Sequence, residues 1–301
     1  MGSDPAGLLL IDKAEGPTSH DVVALLRRAI DVRRVGHTGT LDPFASGLLI
    51  ACVGWVTRLA EYLTGLPKAY LGVIRLGVST DTDDGTGRVV QTDGGWQALD
   101  RARVQTALDR QLGQIEQVPP AYSAKKVAGR RAYAVARAGA RPQLSSQRVT
   151  IHQLSIRDYS PPKVTIELEC SSGTYVRAVA RDLGASLGVG AHLAALRRLR
   201  IGVFSVEDAL ELKRDSRRGD ILERLLPPEA AVAHLERVDL DRASVRDLAH
   251  GRSVAWRSGR ATGPVAVHDA GRLTAVAGVH DERLWPIKVF TDAGGPKGRR
   301  D

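Results

Sequence analysis

The chain has 301 residues, of which 43% are hydrophobic and 26% charged, enough for one large folded unit and a smaller one. No stretch approaches eighteen consecutive apolar residues, and no basic leader precedes the short apolar run Gly7 to Ile11. A cytoplasmic protein without a membrane span is therefore expected. The two cysteines, Cys52 and Cys170, are isolated and the eight histidines lack metal-ligand spacing, so neither a disulfide framework nor a metal site is expected.

A net charge of +9 suits a polyanionic partner, although RNA, DNA and plain solubility are all compatible with it. Arginine outnumbers lysine 35 to 8, which suits bidentate phosphate contacts and equally reflects GC-rich coding. In chain order, Gly7 to Ile11 reads as a buried strand. Thr18 and Asp21 form a capping box for a helix with Val22, Leu25, Leu26, Ala29 and Ile30 on one side. Val35 to Leu49, VGHTGTLDPFASGLL, reads as a shaped loop, because three glycines and Pro43 cannot belong to an amphipathic helix. It presents His37, Thr38, Thr40, Asp42 and Ser46 before Leu48 to Val53 re-enters a core. By itself, Asp42 before Pro43 is a turn or helix-cap residue.

A short helix follows at Thr57 to Leu63, then a strand at Ala69 to Leu76 with Tyr70 near its start. Asp81 to Gly87, DTDDGTG, is a turn cluster that lacks the distal acidic ligand of an EF-hand loop. Arg101 to Gln111 forms an amphipathic helix. Between Pro119 and Thr150 lie seven basic residues and no acidic one, with a helix-like piece at Ala132 to Ala138. Val164 to Cys170 alternates as a strand and turns through Ser171 to Gly173 into a helix, Thr174 to Leu187, with Tyr175 and Arg177 at its start. Gly190 to Leu193 leads into Leu196 to Arg200, and Ser205 with Asp208 caps a short helix. Composition shifts at Leu226 to Glu229. Beyond it, a helix at Asp241 to His250 and four short strands make an appendage of about sixty residues, expected to dock on the main unit.

Several of these stretches resemble the TruB family of tRNA pseudouridine synthases. Gly36 to Gly47 carries every fixed letter of its G-H-T-G-x-L-D-P-x-A-[ST]-G pattern. Pro119 to Gly129 matches P-P-x-Y-S-A-x-K-x-x-G, continued by Tyr133, Ala136, Arg137 and Gly139. Lys68 and Tyr70 fill K-x-Y, Cys170 to Arg177 reads C-S-S-G-T-Y-V-R, and Gly190 to His192 with Leu196 to Arg198 gives G-A-H and L-R-R. Ala14 departs from the proline that often follows Lys13 in the family, which affects a local turn. The resemblance covers roughly Gly7 to Ser205.

It implies an α+β fold: a pseudouridine-synthase catalytic domain at 6–228, with a mixed, largely antiparallel sheet flanked by helices and a thumb-like insertion at about 119–150. A small PUA-like RNA-binding domain at 229–291 and a disordered tail at 292–301 would follow. The implied reaction isomerises uridine to pseudouridine at position 55 in the T-loop of tRNA, with no cofactor. Asp42 would be the nucleophile, ionised and oriented by Arg177, which would lower its pKa. Tyr70 would stack on the flipped base and take or relay the C5 proton. His37 would enter the T-loop as the base flips out, Tyr175 and Leu196 would line the pocket, and Lys126, Arg130, Arg131 and Arg137 would meet the RNA backbone. The T-stem-loop would be the only required partner of a monomer, with no DNA, membrane or obligatory protein partner. The atom attacked by Asp42 stays open. Two alternatives are a tRNA-binding folding chaperone with secondary catalysis and a guide-RNA-dependent relative, whose members carry a longer C-terminal module.

Overall fold

The computed structural model describes residues 5–123, 126–127, 130–131, 144–256 and 263–290. Its first part contains β1 (Gly7–Lys13), α1 (Ser19–Ile30), β2 (Val35–Thr38), β3 (Ser46–Val53), α2 (Ala60–Thr64) and β4 (Lys68–Leu76). A hairpin of β5 (Val78–Thr80) and β6 (Val89–Thr92), then α3 (Arg101–Asp109) and β7 (Gly113–Gln117), come next. A second hairpin, β8 (Lys126–Val127) with β9 (Arg130–Arg131), precedes β10 (Gln147–Ser160), β11 (Lys163–Cys170), α4 (Val176–Leu187), β12 (Ala191–Ile201), β13 (Phe204–Ser205) and α5 (Arg218–Glu223).

The central sheet runs β1-β3-β12-β4-β11-β10-β7, with β2 beside β3 and β13 beside β12. Only the β3–β12 pair among these is parallel, so the sheet is mixed and largely antiparallel, as the α+β expectation has it. The unbroken apolar run of β3 follows from burial on both faces. Leu48, Ile50 and Cys52 pack with Leu8 and Leu10, while Leu49, Ala51 and Val53 pack against Val22, Val23, Leu26 and Ile30 of α1. The capping box of Thr18 and Asp21 starts α1 as expected. Toward the β4–β11 end of the sheet, Tyr70, Ile74, Leu168 and Ile166 join Val176, Val179 and Leu183 of α4.

Several sequence expectations shift. Val35 to Thr38 is strand β2, so His37 stands on a sheet edge instead of in the loop. The helix expected from Thr174 begins at Val176, with Tyr175 as its N-cap. Strands β10 and β12 escape the period-two pattern because both carry irregularities: β10 between Ile151 and Gln153, and β12 between Leu193 and Ala195 and between Arg198 and Arg200. The helix-like piece at 132–138, Arg137 and the tail at 292–301 lie outside the described residues.

A second, five-stranded sheet follows, built from β14 (Glu236–Asp239), β15 (Val254–Ala255), β16 (Val265–Asp269), β17 (Arg272–His280) and β18 (Arg283–Val289), with α6 (Arg242–Ala249) alongside. Ala266, Leu273 and Val276 share a core with Leu8, Leu48, Ala231 and Val232. Trp55 packs on Phe290 with ring centroids 4.6 Å apart, and Arg58 donates to the Val289 carbonyl at 3.0 Å. The appendage therefore docks on the first unit.

Candidate active site

Asp42 stands on a turn that the fold pins on both sides. Its own carbonyl accepts from the Ala45 N–H at 3.1 Å, a β-turn, the first of the two readings, turn or helix cap, that Asp-Pro alone offers. The buried Ser19 hydroxyl, in the first turn of α1, donates to the Leu41 carbonyl at 3.1 Å and accepts from the Leu41 N–H at 2.9 Å. On the other side, the Pro43 carbonyl accepts from the Gly16 N–H at 2.8 Å and from Lys13 Nζ at 3.4 Å. With both neighbours fixed, the Asp42 carboxylate has little freedom, and its side chain stays 37% exposed toward solvent.

Arg177 enters from the first turn of α4 and is 5% exposed. Its Nε lies 3.0 Å from Asp42 Oδ2 and its Nη1 3.4 Å from Asp84 Oδ2, while Nη1 donates to Thr82 O and Nη2 to Tyr122 O, both at 3.0 Å. All three guanidinium nitrogens are thus used. Asp84 is buried, and its Oδ1 accepts from the hydroxyls of Thr82 and Thr86 and the Thr86 N–H. The sequence singled out Arg177 but treated DTDDGTG as a mere turn. The structure brings that turn to the site, and among the described residues no His, Cys, Asp and Glu cluster fit for a metal is found.

Burial pushes the Asp42 carboxyl above its ordinary value, and Asp84 adds to the rise while Arg177 opposes it. The expected lowering by Arg177 is present but outweighed. Tyr70 lies almost fully buried in the same core as Leu41 and Leu196, and burial raises its hydroxyl, with Arg198 opposing. Lys68 is pushed down to about 8 by burial and by Arg198. It donates to the carbonyls of Thr64 and Leu66 at 2.9 and 2.7 Å. His37 is lowered by burial first, then by Arg198 and His20, and its Nδ1 is buried without a hydrogen-bond partner.

Tyr175 is fixed through its backbone: its N–H donates to Gln117 Oε1 at 2.8 Å and its carbonyl accepts from Gln117 Nε2 at 3.2 Å. Gln117, fully buried, thereby ties the entrance of the basic segment to α4, and Arg181 adds a bond to Val118 O at 2.9 Å. Lys126, Arg130 and Arg131 fall on the β8–β9 hairpin. Sequence reasoning missed Ser19, Asp84, Gln117 and Arg198 as parts of the site. Ser19, Asp84 and Gln117 stood out only as polar residues within apolar or turn-forming stretches, whereas Arg198 stood in the L-R-R motif without an assigned role.

Comparison with known proteins decides the family. The TruB family pseudouridylate synthase N-terminal domain matches residues 27–176, and the tRNA pseudouridylate synthase B C-terminal domain matches 177–233. A tRNA pseudouridine synthase B of Symbiobacterium thermophilum is 46% identical over 85% of this chain and 85% of its own. The chain belongs to the TruB family of pseudouridylate synthases. A second TruB-family relative, the tRNA pseudouridine synthase B of Thermobifida fusca, is 42% identical over 94% of this chain and 98% of its own. The fold also matches a solved structure of an H/ACA RNP bound to a substrate RNA containing 2'-deoxyuridine. The TM-score is 0.71 at 23% identity, over 95% of this chain and 86% of that one. Asp42 and Tyr70 fall within the first TruB match, and Arg177 opens the second.

Proposed function

We infer that this protein is a tRNA pseudouridine synthase that isomerises the T-loop uridine at position 55, with Asp42 as nucleophile and the target base flipped out of its stack. TruB-family membership and the naming of its relatives support the substrate class. The observation that carries the chemistry is the Asp42–Arg177 pair at 3.0 Å: a carboxylate open to solvent on one side, pinned through both neighbours and held by a buried guanidinium. A carboxylate so fixed can meet a sugar or ring carbon without first ordering itself.

Tyr70 supplies the aromatic face that replaces the lost stack, and Leu196 and Tyr175 line the pocket. His37, beside the loop that carries Asp42, takes the place the base leaves. The unit at 6–228 holds this site. Lys126, Arg130, Arg131 and Arg137 contact phosphates, and the sheet at 236–289 adds RNA contact as a PUA-like domain. The protein acts as a monomer in the cytoplasm, on tRNA alone. The test is a bare T-stem-loop transcript with the purified protein: pseudouridine mapped to position 55 and nowhere else is expected. No pseudouridine, or its appearance only after a guide RNA or protein partner is added, overturns the reading.

A further inference from the structure

Arg198 is a guanidinium buried to 1% exposure whose partners are not carboxylates. Its Nε donates to Leu48 O at 2.7 Å and Nη2 to Gly39 O at 3.0 Å, and its charge favours the ionised form of Tyr70 against the effect of burial. Burying a cation without an anion is costly, so what this one holds calls for a reason. The two carbonyls bracket residues 40–47, the segment that carries Asp42. Arg198 on β12 stands directly opposite Tyr70 on β4, so both side chains rise from one face of the sheet. The two main chains approach closely there: a Cβ on Gly47, whose φ is +101°, would lie 2.3 Å from the Arg198 carbonyl oxygen.

We propose that Arg198 is a positioning residue for proton transfer, holding the Tyr70 hydroxyl so that Tyr70 carries the proton that leaves C5 of the target base to N1. This deepens the proposed function and rests on it. When the N1–C1′ bond breaks, its electron pair stays on N1, and the Tyr70 O–H protonates N1, leaving a phenolate beside the Arg198 cation. C1′ passes meanwhile to the Asp42 carboxylate; after the base turns, the C5=C6 electron pair forms the C5–C1′ bond, the C1′–Asp42 bond breaks with its pair returning to the carboxylate, and the C5–H bond breaks. Its electrons restore the ring double bond, and the phenolate takes the proton. The hydrogen balance is closed: one proton leaves C5, one arrives on N1, and Tyr70 ends as it began. Because the turn brings C5 to the place N1 left, one hydroxyl held in one position serves both atoms.

The test is single-turnover rearrangement of a T-stem-loop whose target uridine carries hydrogen or deuterium at C5. Arg198→Lys is expected to slow the reaction about tenfold, and deuterium to slow that variant a further twofold or so, because C5–H cleavage becomes limiting. Tyr70→Phe, which leaves both carbonyl bonds of Arg198 in place, must show the isotope effect as well. Where Arg198→Lys fails to fold, Arg198→Gln, which keeps a donor for the carbonyls without the charge, must slow the reaction and show the isotope effect in its place. In the Tyr70→Phe background, Arg198→Lys should cost less than about threefold, since both act on one step. A slowed variant without the isotope effect, or full multiplication of the two losses, assigns Arg198 a structural role only and overturns the proposal. An inactive parent chain overturns the proposed function instead.

Discussion

Around Asp42 the central sheet region buries Lys13, Lys68, Asp84, Arg177 and Arg198, whereas in the C-terminal unit the pairs Arg237–Asp239 and Arg252–Asp247 lie in solvent and, among the described residues, the buried polar side chains are His268 and Thr274. The difference is one of cost. Exposed ion pairs add little to stability, while a buried charge is tolerated only when its bonding capacity is filled. Lys13 is satisfied by three carbonyls, Lys68 by two, and Arg177 by two carbonyls and two carboxylates. These cations serve mainly to hold main chain in place. The region that pays desolvation is the one whose loop must stand still, whereas the C-terminal sheet is built on Val, Ala and Leu packing.

Removing a member of the buried set should therefore cost far more than removing an exposed charge. Arg177→Met leaves Asp84 buried without its counter-charge, and we expect a loss of about 3–5 kcal/mol in urea unfolding together with loss of pseudouridine formation. A variant as stable as the parent would break the comparison. Ser19→Ala strips both backbone partners from Leu41, and about 1–3 kcal/mol of stability should go, with turnover falling while tRNA affinity holds. Unchanged turnover would show that the pinning of Leu41 does not matter to Asp42.

A smaller effect sharpens the electrostatics. With its pKa raised in the folded state, Asp42 favours folding most below its ordinary range, and that contribution is lost as pH rises through the raised value. Activity, which needs the ionised form, should fall with acidification at a higher pH than a free aspartate would give. Asp84→Asn removes one cause of the rise, so the acid limb of the pH–rate profile should move to lower pH; a limb that stays put would remove Asp84 from the account. Smallest of all, Arg252→Ala, between α6 and β15 of the C-terminal unit, should leave both the melting temperature and the turnover at parent values. A loss comparable to that of Ser19→Ala would erase the contrast between the two sheets.

Much of the site was legible in the sequence because its pieces are local. The stretch from Gly36 to Gly47 announces a shaped loop, and Tyr70 and Arg177 sit in short motifs whose spacing survives in one chain segment. What was not legible depends on chain crossings. Ser19 reaches Leu41 across 22 residues, Asp84 in the β5–β6 turn meets Arg177 in the first turn of α4, and Arg198 meets Leu48 and Gly39 only because β12 lies between β3 and β4. Nothing in their neighbours' periodicity marks these side chains, and the bulges in β10 and β12 conceal even the strands. The direction of the Asp42 shift was misjudged for the same reason: the sequence supplied Arg177 but not the burial and not the second carboxylate.

The most direct measurement is tritium release from a T-stem-loop labelled at C5 of its uridines, comparing the parent chain with Asp42→Asn at equal RNA occupancy. The account predicts that the parent releases tritium, and that the variant binds RNA with similar affinity and releases none. Release by the variant at the parent rate would contradict it.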